Sequence, residues 1–366
     1  MNLLKISFLV ERMILGYGVD LVTHKLAEGL TETGFDVEVL CCFHDSTYLG
    51  YNYAVKAIPA RPAGTPWDYE KNTYESVAPM VKDSDVLIIG TFPFFLTGYL
   101  SQKPWIAIDF GVVPPNWFSG RRRREFEYIH RSQYGKYFHR AKMIVCISEF
   151  LKSRLPQALQ DKARVIYLGV DHYPDEFLTD IRSLYKLKGT VLLYVGRCMD
   201  TAPYKNVNKL LEVYHAIKGN HTDTTLLISA GDCNVEEIER LESGNAVVIA
   251  GALNLFLPSI YNSCDIFVTA TQWEGFNLPL LEASYFGKPV VAYDIGPHSE
   301  IVVHGKTGFL ARSDGDFTDY LTEVIKSPSM RERMGREGEK FAQSRFRWEK
   351  VVREYADLIH KCTSSK

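Results

Sequence analysis

Short apolar runs alternate with helical stretches along almost the whole chain, and this alternation restricts the fold more than any other feature. The runs are Lys5–Val10, Val37–Cys41, Asp85–Ile89, Trp105–Ile108, Met143–Ile147 and Arg164–Leu168, then Thr190–Val195, Thr225–Ser229, Ala246–Ile249, Asp265–Ala270 and Val290–Ala292. Apolar runs of this length read as buried strands. Strands separated by helices pair in parallel and carry helices on both faces of the sheet. The rhythm pauses between Gly169 and Gly189, where the text turns polar and aromatic and includes Pro174, and it restarts at Thr190. We place a linker there. At 366 residues the chain exceeds one ordinary core, so two domains are expected. The first covers about 1–172, rejoined by a helix over 347–366, and the second covers 173–346. The halves share an architecture, not a repeated sequence.

Charge and cysteine usage narrow the class. The formal net charge is −2, which argues against a global field for nucleic acid. No apolar run reaches the ~18–20 residues of a membrane span. The N-terminus lacks a basic start and a small-residue cleavage site, so it reads as a first strand and not as a signal peptide. The seven cysteines are odd in number and scattered, with no C-x-x-C pair. They read as buried thiols of a reducing compartment. A cytoplasmic protein is expected.

One stretch carries most of the chemistry. Thr271 to Asp294 reads as a strand end, a loop, a short helix and a strand. Pro279 suits a first helical turn because its missing N–H has no intrahelical partner to lose. Leu278, Leu281 and Tyr285 share one helix face, Gly287 suits a left-handed cap, and Pro289 stops the helix. Glu274 lies in the loop and Glu282 in the helix. Loops at the carboxyl ends of parallel strands are where open α/β sheets bind ligands. Arg197 and Lys205 follow another strand, eight residues apart. Two such cations are either solvated loop residues or a clamp for an anionic ligand.

The motifs then become specific. Glu274-Gly-Phe-Asn-Leu-Pro-Leu-Leu-Glu282 resembles the E-x7-E signature of retaining GT-B glycosyltransferases of the GT4 type. Val195-Gly-Arg197 with Lys205-Asn206 resembles the G-R…K-[GN] segment of that family. Ile144 to Lys152 resembles the strand–Ser–helix ending the first domain. Leu168-Gly-Val-Asp171 resembles the linker entry, with Leu for Asn, and Gly305 to Leu310 resembles the N-G-x-x-G-x-L segment, with His304 for Asn. The matches cover most of the chain in order.

The resemblance implies a GT-B fold of the α/β class, with two Rossmann-like domains facing a central cleft and the last helix crossing back to the first. It implies hexose transfer with retention from a nucleoside diphosphate sugar, UDP- or GDP-linked, to a hydroxyl acceptor in glycan, glycolipid or polysaccharide synthesis. No metal or other cofactor is implied. Arg197 and Lys205 would hold the diphosphate, Glu274 would face the hexose hydroxyls, and Glu282 would accept the ribose hydroxyls. The backbone of Gly275, Phe276 and Asn277, with Leu278, would complete the donor-binding stretch. The Gly16–Gly18 loop would pack on the phosphates. Where family members often carry a histidine after the strand Trp105–Ile108, this chain has Asp109, which either assists the reaction or is a strand-end turn residue.

Other readings are weighed against this one. A nicotinamide site would need G-x-G-x-x-G and an acid closing strand two, but position 21 is Leu and strand two closes on Leu40, Cys41 and Cys42. The triplets Asp83-Ser-Asp85 and Asp314-Gly-Asp316 read as a strand entry and a helix cap, not as metal ligands. The run Arg121 to Arg124 opens a helix reaching Arg140, interleaved with aromatics. It is either a solvated face or a surface that meets an acceptor phosphate or anionic lipid, the latter as a peripheral contact on the inner face of a membrane. A nucleotide-sugar epimerase of the same architecture, or a silent sugar-nucleotide binding subunit, are the alternatives for function.

Overall fold

The computed structural model describes residues 3–14, 17–45, 50–173, 179–199, 201–219, 221–231, 233–251 and 254–364. The chain divides into two compact units, Met1–Gly169 with Trp348–Lys366, and Val170–Arg347.

The first unit holds a seven-stranded sheet. Its strands are β1 (Lys5–Met13), β2 (Asp36–His44), β3 (Ala54–Ala57), β4 (Val86–Ile89), β5 (Trp105–Asp109), β6 (Met143–Cys146) and β7 (Ala163–Val165), in the spatial order β3-β2-β1-β4-β5-β6-β7. Every pairing is parallel. β4 and β5 are buried along their whole length, as expected of strands covered on both faces. β2 continues to His44, beyond the expected end at Cys41, and β3 is an edge strand the sequence reading did not include. Helix Pro66–Val77 begins with a capping box, in which Thr65 and Asp68 satisfy each other's backbone N–H groups. The basic helix spans Gly120–Gly135 and gives way to a 3-10 turn, Tyr137–Arg140, so the expected continuous helix is broken at Lys136. The last helix, Trp348–Thr363, belongs to this unit. Gly29 of helix Gly18–Glu32 lies directly beneath Val352.

The second unit repeats the arrangement with six strands: β8 (Thr190–Val195), β9 (Thr224–Ala230), β10 (Ala246–Ala250), β11 (Ile266–Thr269), β12 (Val290–Tyr293) and β13 (Gly308–Ala311). The order is β10-β9-β8-β11-β12-β13, again parallel. β13 was not anticipated, and it lies so close to β12 that a Cβ on Gly308 would sit 2.4 Å from the Val290 carbonyl oxygen. The core is formed by Leu192, Leu226, Ile228, Ile266, Val268 and Val291 with the helices above and below. In both sheets the first strand lies inside the sheet, and the strand order reverses beside it. That reversal is the switch point at which doubly wound sheets leave a ligand crevice.

The paired-acid triplets have structural roles. Asp85 accepts the Lys5 backbone N–H at 2.8 Å. Ser313, not an aspartate, caps helix Asp314–Lys326 by accepting the Asp316 N–H. All seven cysteines are free thiols, six of them buried. Among the described residues no helix is long and apolar enough to cross a membrane. Of the expected linker between Gly169 and Gly189, residues 174–178 lie outside the described residues, and Ile181–Leu184 forms a short helix.

Candidate functional site

The site in the second unit starts where β8 ends. Gly196 donates to the Ser229 carbonyl at 3.0 Å, and Tyr194 donates its hydroxyl to the Arg197 carbonyl at 2.9 Å. A Cβ on Gly196 would lie 2.6 Å from that hydroxyl, so this sharp exit needs glycine. The turn delivers Arg197, whose guanidinium meets the Tyr204 hydroxyl. A 3-10 turn, Pro203–Lys205, follows, and Asn206 takes a left-handed conformation at φ 53° before helix Val207–Lys218.

The loop after β11 is tied to this turn through backbone groups. Gln272 donates its N–H to the Tyr204 carbonyl at 2.8 Å, and Thr271 donates its hydroxyl to the same oxygen at 3.2 Å. That arrangement brings Lys205 Nζ to 2.6 Å from Glu274 Oε1, with both side chains largely buried. A charged pair at this distance in a partly desolvated place is a strong charge-assisted hydrogen bond. Residues 69 positions apart in sequence are thus assembled past the carboxyl ends of β8 and β11, at the reversal in the sheet.

Helix Leu278–Tyr285 begins with Asn277 in a second left-handed cap, at φ 74°. Its amide Nδ2 lies 2.9 Å from His298 Nε2, and His298 Nδ1 lies 2.7 Å from the Tyr293 carbonyl. The carbonyl can only accept, so Nδ1 carries the proton and Nε2 accepts from Asn277. Burial lowers the pKa of His298, which favours that neutral form. Sequence reasoning missed His298. A lone histidine following Gly-Pro gives no spacing signal, and its partner lies 21 residues upstream.

Glu282 is buried. Tyr261 donates its hydroxyl to Oε2 at 2.6 Å, and His172 Nε2 lies 3.1 Å from Oε1. Both partners escaped the sequence reading because they arrive from distant segments. A carboxylate offers about four acceptor positions, so those left over are what it could give to further hydroxyls. Gly275 is half-buried, whereas Phe276, Asn277 and Leu278 are buried.

In the first unit the expected residues behave differently. Gly16 lies outside the described residues. Gly18 opens helix Gly18–Glu32, and a Cβ there would meet nothing within 4 Å, so packing gives no reason for a glycine. Asp109 closes β5 but is only 1% exposed. Its Oδ1 accepts from the Gly111 N–H at 3.0 Å, the Tyr134 hydroxyl at 2.9 Å and the Gln133 amide at 3.3 Å. Burial nevertheless raises its pKa to about 6. The carboxylate therefore ties β5 to the basic helix. Among the described residues no group of three or more His, Cys, Asp or Glu is arranged to hold a metal.

Comparison with known proteins follows the division into units. The model of glycosyltransferase family 4 matches residues 17–173, and that of glycosyl transferases group 1 matches residues 179–341. An uncharacterised glycosyltransferase of Methanocaldococcus jannaschii is 28% identical over 60% of this chain and 60% of its own length. A capsular polysaccharide biosynthesis glycosyltransferase of Staphylococcus aureus is 27% identical, over 59% of this chain and 62% of its own. A GDP-mannose-dependent phosphatidylinositol monomannoside mannosyltransferase of Mycobacterium tuberculosis is 25% identical, over 59% and 61%. The matches thus span about three-fifths of these relatives. Among solved structures, sucrose-phosphate synthase from Thermosynechococcus elongatus aligns over 99% of this chain and 100% of its own, with a TM-score of 0.84 at 16% identity. HepE from Anabaena, in complex with UDP and glucose, covers 98% of this chain and 100% of its own, with a TM-score of 0.79 at 17% identity. These likenesses show the GT-B fold.

Proposed function

The chain belongs to the glycosyltransferases described by the group 1 and family 4 models, and from that premise we propose that it moves a hexose from a UDP- or GDP-sugar to a hydroxyl acceptor with retention of configuration. The observation that carries the proposal is the 2.6 Å Lys205–Glu274 pair at the sheet reversal of the second unit. In this reading Arg197 and Lys205 neutralise the diphosphate, helped by the N–H groups opening helices Val207–Lys218 and Leu278–Tyr285. Glu274 accepts from the hexose hydroxyls, which fixes the sugar against the lysine that steadies its leaving group. Glu282 uses its remaining acceptor positions for ribose.

The reaction breaks the bond from the anomeric carbon to phosphate and forms one to the acceptor oxygen. The acceptor proton passes to the departing phosphate, so no protein nucleophile is needed. Charge stabilisation of the leaving group by preorganised donors is the main contribution asked of the protein. No metal is part of the scheme. A polysaccharide or glycolipid pathway is supported by the capsular and phosphatidylinositol relatives.

Peripheral contact with an anionic membrane is supported by the residues that follow the basic helix. Lys136 lies 4.8 Å and Arg140 5.3 Å from the Tyr99 ring. Trp67 and Leu100 beside them are 44% and 46% exposed. Cations with interfacial aromatics fit a lipid headgroup layer.

The direct test incubates the protein with UDP- and GDP-hexoses, with and without extract acceptors, and follows nucleotide release and the anomeric proton by NMR. Acceptor-dependent release with retained configuration supports transfer. A changed sugar without release would make the protein an epimerase, and donor binding without turnover would make it a silent binder.

A further inference from the structure

The two sheets share the same central strand order, and the second unit's site lies at its reversal. The corresponding place in the first unit is past the carboxyl end of β4, beside the last residues of β1. Glu11 stands there, beyond the last rung between those strands at Leu9 and Ile89. Its backbone N–H donates to Thr91 Oγ1 at 2.7 Å, and its carboxylate accepts from the Tyr69 hydroxyl at 3.3 Å. Burial raises its pKa.

A cavity of about 750 Å³ opens beside this point, within the first unit alone. Tyr69, Phe92, Tyr128, Arg121, Arg124 and Glu125 line it, with the 62–66 segment as one wall. Tyr69 and Phe92 meet edge to face at 5.8 Å. Tyr128 is locked by donating to Glu70 Oε2 at 2.5 Å. Arg121 donates to the Gly64 carbonyl at 3.3 Å, which joins the helix to the opposite wall. Neither Arg121 nor Arg124 is paired with a carboxylate among the described residues, whereas Arg123 on the outer face is paired with Glu127.

We propose that this cavity is an acceptor subsite for a hexose ring that carries a negative group, a carboxylate or a phosphate. The arginines take the anion, since a guanidinium offers a planar fork of donors to either group. The aromatic faces pack against the C–H face of the ring. Glu125 is placed to accept its hydroxyls, and Glu11 holds the Tyr69 hydroxyl from behind that wall. The term acceptor rests on the transfer reading above, but the binding of an anionic sugar does not.

Calorimetric titration of the full chain with glucuronate, glucose 6-phosphate and methyl glucoside tests this. At least one anionic sugar is expected to bind about tenfold more tightly than the neutral one, the difference a charge-assisted pair supplies. Which of the two is preferred identifies the anion. Arg121→Gln with Arg124→Gln should remove the preference and leave UDP binding unchanged. Arg131→Gln, exposed on the same helix, should retain it. Equal affinity for all three sugars, an undiminished preference in the double variant, or the same loss in Arg131→Gln would overturn the proposal. If UDP and GDP fail to bind while the anionic sugar still does, the donor reading falls and the subsite stands.

Discussion

Lys205 and Glu274 show how much a single pair can decide. Each is exposed by less than a fifth of its side chain, so removing one leaves the other as a partly buried, uncompensated charge. Lys205→Ala should cost about 2–3 kcal/mol of stability in a urea titration and lower kcat/KM for the donor by about a hundredfold or more. Unchanged turnover in Lys205→Ala and in Arg197→Ala would remove both from the mechanism. Asp109 is the opposite case. Its carboxyl pKa rises from 3.8 to about 6 on folding, so its stabilising contribution is complete below about pH 4 and is lost as pH rises through 6. Wild-type stability should therefore fall by about 2–3 kcal/mol between pH 4 and 7 from this group. Asp109→Asn keeps an oxygen for the three donors and lacks the charge, so its melting temperature should fall less over that range, and it should still turn over. Loss of turnover with intact folding would return Asp109 to the reacting groups. The residue types at 197, 205, 274 and 282 were readable because a motif fixes their spacing. The partners of Glu282 and Asn277 were not, since His172, Tyr261 and His298 reach them across the fold.

The elements explain why the site is held still. Helix Leu278–Tyr285 carries Glu282 and is backed by helix Pro328–Arg345. The two come together at glycines: a Cβ on Gly335 would lie 2.0 Å from the Gly287 carbonyl oxygen, itself in the left-handed cap at φ 68°. Gly335→Ala must push the supporting helix away from the turn. Overpacking of this kind costs about 1–3 kcal/mol, and about 2–4 °C of melting temperature per kcal/mol is lost in a domain of this size. A drop of about 5 °C with a raised donor KM is expected, read by calorimetry and initial rates. An unchanged KM would show that this contact supports stability alone. The cap glycine and Pro289 were readable in advance, because each imposes a local backbone constraint. The break at Lys136 and the edge strands β3 and β13 were not, because they are short and their pairing partners decide them.

At the scale of the molecule, each unit has its own sheet and its own covering helices. Helix Trp348–Thr363 is the exception in chain order, since it follows the second unit and completes the first. Trp348, Val351, Val352, Tyr355, Leu358 and Ile359 are all buried. At roughly 1.5–3 kcal/mol per such side chain the six contribute about 9–18 kcal/mol as an upper estimate, comparable with the whole stability of an ordinary domain. Truncation after Arg347 should therefore abolish the calorimetric transition of the first unit and leave that of the second. Retention of both transitions would show that the helix is dispensable. The sequence by itself determined the α/β class, the alternation of strands and helices, the residue types at 197, 205, 274 and 282 and the family, because periodicity, capping and motif spacing are local and act on neighbours along the chain. Only the tertiary structure decided which charges meet, which acids are buried and where two arginines without a carboxylate partner among the described residues stand beside a cavity. Those outcomes depend on distances between residues far apart in sequence and on the loss of water around them, and neither is written in any one stretch.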